Sequence, residues 1–439
     1  MWFAQFARQV IKWGQLTIID AHGRRHTIDN HDGPSATIRL HDPALHHRLA
    51  WNPYLFVGEA YVDRTLTIET GTLYDFLEIC MANAGVVDAH WLSRGVSMLQ
   101  RLARQIHQYN PIGRARANVA HHYDLSDALY DLFLDSDRQY SCAYFTHAHE
   151  DLEQAQLDKM RHLAAKLLLE PGQRVLDIGS GWGGLALHMA EAGAGEVLGI
   201  TLSEEQLKVS QRRAERAGLA DRVRFELRDY REQRGGFERI VSVGMFEHVG
   251  VRHYPEFVGK LRELLTDDGV AVLHSIGRMD GPSATSPWIR KYIFPGGYAP
   301  ALSEVLPVIE RRPLWVTDIE ILRLHYAETL RAWRRRFAAN RARVVRLYDQ
   351  RFCRMWEFYL ISSELAFRYG GHMVFQIQMA KRQDAVPLTR DYITDWERGH
   401  LAWRRHGGGI AGSAHRRPAI LAPSHKRVTG GCHVTLGDR

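Results

Sequence analysis

The chain has 439 residues, 45% hydrophobic and 24% charged. That composition supplies a large core and excludes a wholly disordered, collagen-like or coiled-coil protein. The net charge of +7 suits an anionic partner, either nucleic acid or an acidic membrane surface. No apolar run approaches the ~20 residues that cross a bilayer. The polar start, Met1 to Trp13, lacks the features of a signal peptide. Four widely spaced cysteines (Cys80, Cys142, Cys353, Cys432) argue against a disulfide framework or a structural zinc site, and for a reducing compartment.

Residues 1–13 predict a short amphipathic helix, with Trp2, Phe3, Phe6, Val10 and Trp13 opposite Arg8 and Lys12. Such a helix either packs on its own domain or touches a membrane. Strands are expected at Leu16–Ile19, Ala36–Leu40 and Leu66–Ile68, between Gly, Asn and Asp turn signals. Residues 73–108 read as helical, so 1–108 is expected to form a small α+β domain in contact with lipid or a second copy. From residue 150 strands and helices alternate. A helix over Leu152–Leu169 leads to strands at Arg174–Ile178, Glu196–Ile200, Val223–Leu227, Arg239–Val243 and Gly269–Leu273, with helices over 185–192, 203–217 and 253–265 between them. This pattern predicts an α/β, Rossmann-like domain with a buried, mainly parallel sheet, taken as residues 109–403. A late strand is expected at Met373–Met379 and a long Arg-rich helical stretch over 325–367. The Gly-, His- and Arg-rich tail, 404–439, is expected to be flexible.

Asp177-Ile-Gly-Ser-Gly-Trp-Gly-Gly184 lies between the first strand of this domain and a helix. Glycines there let backbone approach a ligand, and the helix N-terminus attracts polar groups. The literal G-x-G-x-x-G match alone is weak. Asp177 stands two residues before the first glycine, and the second strand ends Gly-Ile-Thr-Leu-Ser, with no acidic residue to hold an adenosine ribose. Both features turn the loop away from dinucleotides and toward S-adenosylmethionine, for which Asp-x-Gly-x-Gly after a first strand is the fingerprint. Thr201–Gln206, Arg228–Tyr230, Gly244–Gly250 and His274–Gly277 each follow a predicted parallel strand. Ligands bind outside the carboxyl ends of such strands, so these segments converge on one crevice.

Six segments together resemble the cyclopropane-fatty-acyl-phospholipid synthase family, to which the mycolic acid cyclopropane synthases are related. They are His122–Ser126, Tyr140-Ser-Cys-Ala-Tyr-Phe145, Leu176–Gly184, Gly199–Ser203, Met245-Phe-Glu-His-Val-Gly250 and Trp288–Gly297. The resemblance spans about residues 14–385 and includes Gly58-Glu-Ala-Tyr61. It implies methylene transfer from S-adenosylmethionine to a cis double bond of a phospholipid acyl chain. A carbocation forms on the chain, and a bound bicarbonate removes the proton. The family's anion ligands carry over onto Cys142, through its backbone, Glu247, His274, Ile276, through its N–H, and Tyr326; Glu247 is expected to hold a proton or accept one from the bicarbonate. The cofactor contacts carry over onto Tyr140 and Ser141 for the methionine part, and onto the loop from Val175 through Asp177, Gly179 and Gly181 to Gly183. Thr201, Leu202 and Gln206 would surround the ribose, with Arg228 and Asp229 near the adenine. Two departures stand out: Ser363 and Ser180 occupy positions where the family often has Cys, which excludes a covalent role for a Cys at the first. A methyl- or methylene-branched product, or a non-catalytic lipid-surface protein, are the alternatives.

Residues 331–354 carry nine arginines, with Trp333, Phe337, Val344 and Leu347 at helical spacing. They form either a solvated face over an apolar stripe or a surface for anionic lipid headgroups. Nucleic acid is the weaker reading, because no base-stacking aromatics are interleaved on that face. The resemblance implies a cytoplasmic enzyme, peripheral on the inner face of the membrane, and leaves room for a homodimer.

Overall fold

Alternating apolar residues near the N-terminus build a small sheet, and continuous apolar runs after residue 170 build a large one. A computed structural model describes residues 2–30, 32–89 and 125–400. In the small sheet, β1 (Gln15–Ile19), β2 (Arg25–Asp29), β3 (Ser35–Leu40) and β4 (Leu66–Thr70) take the order β2-β1-β3-β4. Ile18 and Ile38, paired across parallel β1 and β3, are fully buried. Strand β2 went unread because its only buried residue is Ile28; its ladder to β1 holds it in place.

Helix α1 (Trp2–Val10) buries Phe3, Phe6 and Val10 and packs against α2 (Leu45–Trp51), so its apolar face serves its own fold. Helices α3 (Pro53–Val62), α4 (Leu73–Ala82) and α5 (Ala84–Ala89) complete the layer. A capping box at Thr72 and Asp75 starts α4.

A short α6 (Asp127–Tyr130) and α7 (Leu152–Lys166) precede the large sheet. Its strands are β5 (Arg174–Ile178), β6 (Glu196–Thr201), β7 (Val223–Leu227), β8 (Phe237–Val243), β9 (Leu265–Arg278), β10 (Trp315–Leu322) and β11 (His372–Ala380), in the order β10-β11-β9-β8-β5-β6-β7. The five strands from β5 to β9 run parallel, and β11 is antiparallel to both its neighbours. From β5 the chain proceeds outward through β6 and β7, then returns to β8 on the other side. This reversal opens a crevice at the carboxyl ends of β5 and β8. Helices α8 (Gly184–Glu191), α9 (Glu204–Arg216) and α10 (Tyr254–Leu264) connect these strands, and α11 (Pro287–Tyr292) and α12 (Leu302–Glu310) precede β10.

The Arg-rich stretch divides into α13 (His325–Ala339), α14 (Arg341–Leu347) and α15 (Gln350–Tyr369). The divisions fall at Asn340 and at Asp349, whose side chain caps α15 through Phe352 N–H. Trp333, Phe337 and Val344 are buried as the stripe requires, while Leu347 is exposed. Helix α16 (Asp391–Gly399) is the last described element.

Residues up to Arg398 form one compact unit. One apolar cluster runs from Phe3 and Phe76 through Trp288 to Trp333 and Trp356. Gly58-Glu-Ala-Tyr61 makes the junction. A Cβ on Gly58 would lie 2.5 Å from the Trp288 ring, Glu59 pairs with Lys291 at 2.6 Å, and Tyr61 donates to Glu357 at 3.2 Å. The expected boundary near residue 108, residues 122–124 of the His122 segment and the 404–439 tail lie outside the described residues.

Candidate active site

The loop after β5 turns on glycines that do different work. Gly179, Gly181 and Gly183 all have positive φ. A Cβ on Gly179 would meet Met245 at 2.8 Å, and one on Gly183 would meet Phe225 at 2.7 Å, whereas at Gly181 nothing lies within 4 Å. Gly181 therefore faces open space, while its neighbours serve packing. That space is a cavity walled by Tyr140, Ser141, Asp177, Gly179, Gly181, Thr201, Leu202, Gln206, Arg228 and Asp229, ten of the twelve residues expected to contact a cofactor. The other two fall elsewhere. Val175 points into the core from the middle of β5, fully buried, and Gly183 packs beneath the loop.

The cavity offers unmet polar groups. Asp177 Oδ2 and Ser180 Oγ are buried without a hydrogen-bond partner among the described residues. Burial pushes the Asp177 carboxyl up to about 7, against the pull of Lys159. Thr201 donates to Gln206 Oε1 at 3.0 Å, and Asp229 is fixed by Arg231 through bonds of 2.8 and 2.7 Å. Arg228 is occupied by Glu226 and Gln233.

Residues 139–142 separate this cavity from a second one. They carry no strand ladder, so α7 satisfies their backbone: Gln156 donates to the carbonyls of Gln139 and Ser141 at 3.2 and 3.0 Å. Lys159, fully buried, donates to Gln139 Oε1 and to Ser141 Oγ. Desolvation brings the Lys159 ammonium down to about 8, opposed by Asp135, Cys142 and Asp177. Sequence reading overlooked this lysine, which looks like one more polar residue on a helix.

The second cavity holds about 900 Å³ and is walled by all five expected anion ligands, Cys142, Glu247, His274, Ile276 and Tyr326. Their arrangement follows from the sheet. Glu247 sits in the turn after β8, and His274 and Ile276, two apart on β9, share a face. Glu247 Oε1 accepts the Ile276 N–H at 2.7 Å, which commits the donor expected to reach an anion. Glu247 Oε2 is buried without a hydrogen bond among the described residues. Burial pushes this carboxyl up to about 7, although the Ile276 N–H opposes the shift. Burial, aided by Lys159 and Lys166, holds His274 well below its ordinary value and therefore neutral. The Gln376 amide bonds its Nδ1 at 3.1 Å. Cys142 is fully buried, and desolvation keeps its thiol protonated. Tyr326 packs on Trp333 and Phe367 and also faces the cavity, so packing and site roles coincide. Tyr140, Ser141, Gly244 and His248 line both cavities, which meet there. Tyr359, unread from the sequence, shares a 2.9 Å hydroxyl contact with Tyr140 at this junction.

A family model described as mycolic acid cyclopropane synthetase matches residues 112–377. The chain belongs to this family. A cyclopropane-fatty-acyl-phospholipid synthase of Escherichia coli is 36% identical over 347 residues, covering 79% of this chain and 88% of the relative. A probable fatty acid methyltransferase of Pseudomonas putida is 37% identical over 358 residues, with the same two coverages. Among solved structures, the mycolic acid cyclopropane synthase CmaA1, complexed with SAH and CTAB, superposes with a TM-score of 0.58 at 32% identity, covering 62% of this chain and 99% of that one. As a member of the cyclopropane synthetase family, the chain is an S-adenosylmethionine-dependent methyltransferase, and its mostly parallel seven-stranded sheet is that of the Rossmann-like methyltransferases.

Proposed function

We propose that this enzyme adds a methylene group across a cis double bond in an acyl chain of a membrane phospholipid, closing a cyclopropane ring. The observation that carries the reading is the meeting of the two cavities. The cavity containing Asp177 and Gly181 abuts, at Tyr140, Ser141, Gly244 and His248, an apolar one whose wall includes the buried Glu247 carboxyl and His274 imidazole. A volume of about 900 Å³ lies within the range of ligand sites, and its Phe, Leu and Val walls suit an acyl chain.

When bound, S-adenosylmethionine supplies an electrophilic methyl group. Asp177, Ser180 and Gly181, with Tyr140, Ser141, Thr201, Leu202, Gln206 and Asp229, would hold it, and the unpartnered Asp177 and Ser180 oxygens fit that role. With the acyl chain bound, the residues around the junction would exclude water and so protect a carbocation on the chain from hydration. Phe294, Tyr326 and Tyr359 wall the same space with aromatic faces, which attract positive charge. A proton must then leave the added methyl group. Glu247 Oε2, with its carboxyl near 7, is poised to take that proton on from the base close to neutral pH. Bicarbonate would supply a base that resists alkylation, held by Cys142, Glu247, His274 and Tyr326. Ile276 would contribute through the Glu247 it already binds. The enzyme would work as a peripheral protein on the inner, anionic face of the membrane. Consistent with a peripheral position, no helix among the described residues is long and apolar enough to cross a membrane.

Mass spectrometry of phospholipid acyl chains, from cells with and without the protein, tests the reading. The expected product is one CH₂ heavier than the unsaturated chain and resists hydrogenation. A product that takes up hydrogen, or one already fully saturated, would establish a branched chain instead.

A further inference from the structure

The cavity that contains Glu247 and His274 has a second wall, distant in sequence. Phe3, Phe6, Ala7 and Val10 of α1 line it, together with Phe76 and Leu77 of α4. All six precede residue 112, where the family match begins. Helix α15 presents the small side chains of Ser362, Ser363 and Ala366 along the same void. These three share one side of the helix, so that side keeps large side chains out of the cavity. Protein interiors are packed with few voids larger than a water molecule. An apolar space kept open by large aromatic and aliphatic side chains is costly to leave empty, and such spaces take apolar ligands rather than water.

We infer that this N-terminal wall is the subsite for the part of the acyl chain remote from the reacting bond, with Phe6 and Ala7 of α1 setting the chain length it accepts. The inference rests on the proposed acyl substrate and adds a residue-level specificity device to it. Phe6 and Ala7 are adjacent and both nearly buried, and both contribute to the wall. Enlarging Ala7 subtracts space and shrinking Phe6 adds it, so the two changes act in opposite directions.

Equilibrium binding of saturated fatty acids of graded length to the full chain tests this, because saturated acids cannot react. Affinity in the unaltered protein should rise with length to a limit. Ala7→Phe should weaken the longest acids about tenfold relative to the shorter ones, the scale of one ill-fitting group in an apolar pocket. Phe6→Ala should move the limit to longer acids. Thermal melting checks folding, and Ala7→Val gives the same direction in a smaller step if Ala7→Phe does not fold. A single length dependence shared by all these proteins, or none in the unaltered one, overturns the subsite. Absence of cyclopropane product in cells would overturn the proposed reaction and leave the binding result standing.

Discussion

Single atoms divide the loop and the acid–base site into roles. A side chain at Gly181 meets open space and no protein, unlike Gly179 or Gly183. Gly181→Val should therefore abolish S-adenosylmethionine binding in a protein that still melts cooperatively. Strain at φ 54° costs some stability. Calorimetry showing unchanged affinity would remove this loop from the cofactor site. Glu247→Gln keeps shape and hydrogen bonding but loses the proton acceptor. Turnover should fall by ~10²–10⁴-fold, while S-adenosylmethionine affinity stays near its original value, since other segments line that cavity. The pH profile supplies a second readout. A base pushed up to about 7 is active when deprotonated, so turnover should climb as pH rises through about 7 and that limb should vanish in Glu247→Gln. An unchanged limb would assign it to another group. The glycine loop and the carboxylate were legible because each follows a strand end, and the imidazole because it ends the apolar run Val270–Leu273, although β9 continues past it to Arg278. Lys159 was not, because its role depends on which segment α7 packs against.

At the scale of elements, α16 is clamped by a histidine. His162 on α7 bonds Glu320 on β10 and Glu397 on α16, each at 2.7 Å. Lys166, Asp318 and Arg390 complete the charge cluster. Burial disfavours charge on His162, but the two carboxylates outweigh it and raise its pKa above the ordinary 6.5. The folded value thus exceeds the unfolded one. The clamp's contribution is complete below about 6.5 and is lost as pH rises through the folded value. Amide protection factors in Asp391–Gly399, with the intrinsic pH dependence of exchange divided out, should fall on the alkaline side, and His162→Gln should be poorly protected throughout; a pH-independent protection factor in the unaltered protein would dismiss the clamp. The same cluster explains an unread strand. Strand β10, Trp-Val-Thr-Asp-Ile-Glu-Ile-Leu, does alternate, but its polar residues face α7 and its Ile319 is exposed. Hydrophobic alternation therefore pointed the wrong way.

Across the whole molecule, the positive charge sits elsewhere than the Arg-rich helices suggest. Arg331, Arg334, Arg336, Arg341 and Arg351 pair with Glu328, Glu364, Glu153, Glu357 and Asp63, and Arg354 donates to the Val62 carbonyl. Residues 90–124 and 401–439 hold 12 basic against 2 acidic residues, leaving 45 basic and 48 acidic in the rest of the chain. An anionic membrane should therefore be met by those two stretches. Replacing Arg404, Arg405, Arg416 and Arg417 with Gln in the full chain should weaken binding to anionic vesicles by at least about tenfold, at roughly 1 kcal/mol per basic residue. Raising salt should act in the same direction. Arg334→Gln should lower stability and leave vesicle binding in place. Equal sedimentation with neutral and anionic vesicles would refute an electrostatic surface.

By itself, the sequence determined the parallel sheet, the glycine loop and the residues gathered at its edge. Strand periodicity and the rule that strand ends carry ligands are local consequences of backbone geometry. Tertiary structure alone decided that the α1 apolar face turns inward to line the large cavity, and that Lys159 braces the wall between the two cavities. It also decided that the Ile276 N–H is taken up by Glu247. Each depends on contacts between residues tens to hundreds of positions apart. Pairings such as Gly58 with Trp288 and Glu247 with Ile276 exist only once the chain has packed.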